Sequence, residues 1–101
     1  MYAITARAET EFASKYLQQL CKHFAHKVPS TYDETSGKVE FPMGDCTMQA
    51  TDGVLTVTCH SEETDGVTQM GQIIDKHLER FAWKEKVELT WADAETVVQE
   101  A

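Results

Sequence analysis

Between Val39 and Cys59 an apolar residue recurs at every second position, in three short runs. Val39, Phe41 and Met43 alternate with Lys38 and Glu40. After Gly44 come Cys46, Met48 and Ala50, and after Asp52-Gly53 come Leu55, Val57 and Cys59, with threonine and glutamine between them. Successive side chains on a strand point to opposite faces, so each run is a strand with one dry and one wet side. Asp-Gly between the last two is a strong hairpin signal. The first segment, "YAITARAE", alternates in the same way, with Tyr2, Ile4, Ala6 and Ala8 facing one side. "STYDE", a turn at "TSG", and "KVELTW" with Val87, Leu89 and Trp91 inward complete the set. A sheet that is dry on one face needs cover on that face only.

Two segments of helical period supply the cover. In "TEFASKYLQQLCKHFAHKV" the residues Phe12, Ala13, Tyr16, Leu17, Leu20, Cys21, Phe24 and Val28 form one broad apolar stripe. Thr10 is the expected N-cap, with Glu11 in the first turn, and Pro29 ends the helix behind Lys22 and Lys27. The second helix is expected to be capped by Ser61, with a stripe of Val67, Met70, Ile74, Leu78 and Phe81. The expected order is β-α-β-β-β-β-α-β, an α+β two-layer sandwich with both helices on one face of an antiparallel sheet. The 101 residues form one domain with a core over about 2–91, and the tail 92–101 frays or adds a short helix.

Composition narrows the function classes. With 42% hydrophobic and 26% charged residues the chain is an ordinary globule. No apolar run approaches the ~18–20 residues that span a bilayer, and "MYAITARAET" has neither the basic nor the apolar part of a signal peptide. Cys21, Cys46 and Cys59 contain no C-x-x-C and read as small buried thiols in a reducing compartment. The expected location is the cytoplasm. A net charge of −8 opposes binding by counterion release, so neither nucleic acid nor a membrane is expected as a partner. The serines lack a G-x-S-x-G context and the glycines form no phosphate loop, so the reading leans away from an enzyme.

The segment "LCKHFAHKV" holds the densest chemistry. At ~100° per helical residue, His23 and His26 lie about 60° apart, while Cys21 lies ~140–160° from both and cannot share an ion with them. His77 falls within the apolar arc of the second helix, and two helices on one sheet can bring it toward His23, with Asp75 or Glu79 at the rim. Three readings follow: structural histidines hydrogen-bonded at helix ends, a zinc or iron site of His23, His26, His77 and Glu79, or a pH-sensitive ligand contact. Lys22, Lys27, Arg80 and Lys84 crowd the helix C-termini, where the dipole favours cations, and together form a local positive patch suited to an anion or an acidic partner.

Three stretches, "YLQQLCKHFAHKVP", "KVEFPMGDCTMQATDGVLTV" and "HLERFAWKEKVELTW", resemble the uncharacterised prokaryotic family called domain of unknown function 2218, over about residues 3–91. The resemblance implies a small α+β domain similar to a single TATA-binding-protein-like repeat, and no established activity. It also implies a context of iron utilisation beside siderophore-interacting flavoprotein reductases. The leading expectation is a small cytoplasmic binding or accessory domain, linked to iron or siderophore handling and dimeric through an edge strand or the polar sheet face. The alternative is a metal-binding protein with a histidine cluster between the helices. No resident cofactor is expected under the first reading.

Overall fold

A computed structural model describes residues 2–81, 89–91 and 95–96. The elements run β1 (Tyr2–Glu9), α1 (Ala13–Phe24), β2 (Ser30–Tyr32), β3 (Ser36–Phe41), β4 (Gly44–Thr51), β5 (Val54–Ser61), α2 (Thr64–Phe81), β6 (Thr90–Trp91) and β7 (Glu95–Thr96). The strands form one antiparallel sheet in the order β2-β3-β4-β5-β1-β6, with β7 also pairing with β1. This is the α+β sandwich that the alternation predicts. The inward rows read straight across the sheet: Val39, Cys46, Cys59 and Ile4 in one, Met48, Val57 and Ala6 in the next, then Ala50, Leu55 and Ala8. Leu17, Leu20 and Cys21 of α1 and Val67, Met70, Ile74 and Leu78 of α2 close over these rows. On the outer face Lys38, Thr47, Thr58 and Thr5 line up across β3, β4, β5 and β1, and the hydroxyls of Thr5 and Thr58 lie 3.3 Å apart.

Several boundaries differ from the sequence reading. Helix α1 begins after Phe12, not after Thr10. The Thr10 hydroxyl instead accepts the Phe12 N–H at 3.1 Å, and Phe12 is left exposed. The turn between β2 and β3 lies at Asp33–Thr35 rather than at "TSG". One Asp33 carboxylate oxygen accepts the N–H groups of Thr35 and Ser36, both at 2.8 Å, and fixes that turn. Gly37 then belongs inside β3, where a Cβ would stand 2.6 Å from the Cys21 sulfur, so α1 sits closer to the sheet than any larger residue permits. Strand β3 ends at Phe41, because Pro42 has no N–H to give a ladder, and Pro42-Met43 make the turn to β4. Within the tail, residues 95–96 pair as a short strand, Tyr2 with Thr96 and Ala3 with Glu95; the rest of 92–101 lies outside the described residues. Val87 lies outside the described residues. Trp91 is pinned to α2: its indole N–H lies 2.9 Å from each oxygen of Asp75. Burial pushes the Asp75 carboxyl up from its ordinary range, against the effect of the Trp91 hydrogen bond and with a smaller upward push from Glu79.

Candidate functional site

Three pieces of chain meet where α1 ends. Helical geometry stops at Phe24, and the chain tightens into a turn in which Ala25 and His26 donate to the carbonyls of Cys21 and His23, and Lys27 and Val28 both donate to that of Phe24. The Ser30 hydroxyl adds a second bond to the Cys21 carbonyl at 2.9 Å. The turn leaves His26 exposed, near enough to His23 for its charge to be felt there. The Glu40 N–H donates to the Pro29 carbonyl at 2.9 Å and ties this turn to β3. The Ser61 hydroxyl donates to the Met43 carbonyl at 2.7 Å and accepts the Glu63 N–H, which ties the β3–β4 turn to the start of α2.

Within that frame His23 and His77 do converge. Their ring centres are 4.7 Å apart, with planes tilted by 47°. Phe24 stands 4.9 Å from His77 and 5.1 Å from Phe41, and Phe81 stands 6.0 Å from His23. Aromatic edges and faces at such spacings attract beyond simple burial. The His77 Nδ1 lies 2.7 Å from the Ile73 carbonyl one turn earlier. A carbonyl can only accept, so Nδ1 carries the hydrogen of this bond.

These rings form the floor of a pocket of about 340 Å³. The end of α1 contributes His23, Phe24, Lys27 and Val28, the β3–β4 turn contributes Phe41, Pro42 and Met43, and α2 contributes Ile73 and His77. Its size is at the lower end for ligand sites, roughly 300–1,000 Å³, and its mostly apolar wall with a few polar groups fits the usual pattern. A larger hollow of about 840 Å³ is a shallow dish on the outer sheet face, where Arg7, Glu9, Gln49 and Asp52 face water.

The other candidates separate. Lys22, Lys27, Glu79 and Arg80 are exposed; Lys27 borders the pocket, while Glu79 acts on Asp75 on the Trp91 side of α2. Lys84 lies outside the described residues. Among the described residues no three of His, Cys, Asp and Glu are placed to hold a metal ion, so His26 and Glu79 do not join the His23–His77 pair. His60 is half-buried, paired across the sheet with Asp45 and Ala3. Burial pushes the Cys21 thiol up to about 11, and the hydrogen bond with Cys59, whose sulfur is 3.6 Å away, together with burial raises Cys46 well above its ordinary value, so neither is poised as a nucleophile. Sequence reading missed Phe41, Pro42, Met43 and Ile73 as pocket walls. The signal was present in "FPM", an apolar tripeptide where a hairpin turn is ordinarily polar.

Desolvation holds the His23 imidazole below its ordinary 6.5, and the nearby His77, His26, Lys27 and Arg80 press in the same direction. The folded chain therefore takes up this proton less readily than the unfolded one. Its contribution to stability is full above pH 6.5 and is lost as pH falls through the lowered native value. The His23 ring resonance is expected to titrate below 6.5, and the thermal midpoint to drop as that proton binds; a midpoint at or above 6.5 contradicts the geometry.

The architecture and pocket define a class: a two-layer α+β domain with an apolar hollow between the C-terminal end of α1, a hairpin turn and α2. Residues 5–92 match the model of the domain of unknown function 2218, an uncharacterised protein conserved in bacteria, and the chain belongs to that family. It is similar to PA4090 from Pseudomonas aeruginosa, whose NMR structure matches with a TM-score of 0.81 at 29% identity, over 95% of this chain and 100% of that one. No curated protein matches the chain. No described helix is long and apolar enough to cross a membrane.

Proposed function

We propose that this chain is a small binding domain whose ligand occupies the pocket between α1, the β3–β4 turn and α2. The observation that carries this reading is the pocket itself, apolar on its walls and pinned on all three sides by hydrogen bonds that do not involve a ligand. A cavity of ~150 Å³ lined by aliphatic and aromatic groups already takes up benzene, so a hollow of about 340 Å³ has room for one ring and a short chain. His23 and His77 supply two nitrogen donors, and no third donor joins them among the described residues, so the pocket reading is preferred to a metal site. Association with iron or siderophore handling, and with a partner reductase, rests on family resemblance; a pull-down from iron-depleted cells tests it.

Binding is tested by titrating small aromatic and aliphatic compounds into the 15N-labelled chain. Amide shifts are expected to cluster at residues 23–28, 41–43 and 73–77. Shifts confined to the outer sheet face, around Arg7, Gln49 and Thr56, would contradict the proposal.

A further inference from the structure

We infer that the ligand of this pocket is a compact monoanion, a carboxylate on an aromatic or aliphatic body, seated with the body against Phe24, Phe41 and Ile73 and the carboxylate beside Lys27 and His23. This rests on the pocket being the binding site, and adds the charge of what enters it.

The charge distribution is the first support. Aspartate and glutamate outnumber lysine and arginine by 17 to 9 over the chain, yet among the described residues the ionisable groups lining this pocket are His23, His77 and Lys27. His26 from the α1 turn and the permanently charged Arg80 from α2 lie within electrostatic reach of His23. An apolar wall excludes water and strengthens any charge pairing at its rim.

The helix end is the second support. The C-terminus of a helix ordinarily presents unpaired carbonyls that favour a cation. Here the carbonyls of Cys21, His23 and Phe24 are all taken, by Ala25, His26, Lys27, Val28 and Ser30. A cationic ligand would compete with these bonds for the Cys21 and Phe24 carbonyls and would meet Lys27 at the rim. A neutral ligand would use the walls and leave Lys27 without a role.

Three probes share one body and differ only in the head: 4-phenylbutyrate, 4-phenylbutanol and 4-phenylbutylamine. Titrated separately into the full chain and followed by amide shifts at residues 23–28, 41–43 and 73–77, the carboxylate is expected to bind about fivefold or more tightly than the alcohol. The amine is expected to bind most weakly. Lys27→Gln, at an exposed position on the pocket rim, is expected to reduce the carboxylate's advantage over the alcohol by about half or more. If alcohol and carboxylate bind equally, or the amine binds best, the charge inference is overturned while the pocket reading stands. If none of the three moves these amides at millimolar concentration, both fail together.

Discussion

Replacing Gly44 by alanine is expected to destabilise the domain by about 3 kcal/mol and to lower its thermal midpoint by ~12–24 °C. Gly44 opens β4 opposite Phe41, with φ at 157°, and a Cβ built there would overlap the carbonyl oxygen of His60 on β5. That oxygen is backbone and cannot swing aside as a side-chain tip can, and the Met70 methyl 3.1 Å away blocks the other direction. The strand must shift, and with it the Pro42-Met43 turn that walls the pocket. Gly53→Ala is the control. Gly53 has φ of 74° in the β4–β5 turn, with nothing within 4 Å of its missing Cβ. It is expected to lose only the ~1–2 kcal/mol of left-handed backbone. Chemical unfolding of both variants checks this, and equal losses would show that the His60 contact is not what constrains Gly44.

Phe24→Ala is expected to cost about 3–5 kcal/mol, whereas Phe24→Leu, which conserves most of the volume, should cost under ~1.5 kcal/mol. Phe24 is 6% exposed, and its ring meets Phe41 at 76° and His77 at 58°. It is at once the last core residue of α1 and the floor of the pocket. Truncation leaves a void continuous with the pocket, so the surroundings have little to collapse inward. Urea unfolding at constant m-value measures the loss. A cost below ~1 kcal/mol for the alanine variant would mean that the floor is not packed as described.

The features that local physics decides are legible in the residues. Alternation places the inward side chains of β3, β4 and β5 correctly, with Met43 alone falling in the turn, because a one-residue slip would turn the whole dry face to water. The Asp52-Gly53 turn follows from the left-handed backbone that these two residues adopt, at φ of 50° and 74°. Features decided by a distant partner are not legible. Phe12 fits the α1 stripe by spacing, yet lies ahead of the helix and exposed, because Thr10 takes its N–H. The approach of His23 to His77 depends on how closely α1 and α2 lie, which a helical wheel shows only as a direction. The pocket walls belong to a turn whose position is set by the Ser61–Met43 hydrogen bond between segments 18 residues apart.

The central claim is that the hollow between α1, the β3–β4 turn and α2 takes a small ligand in solution. Nuclear Overhauser contacts between a bound probe and the protein test it most directly. With 4-phenylbutyrate, contacts are expected from the phenyl protons to the Met43 methyl, the Ile73 methyls and the Phe41 ring. Contacts instead to Val54, Thr56 and Gln49 on the outer face, with none to Met43 or Ile73, would contradict the account.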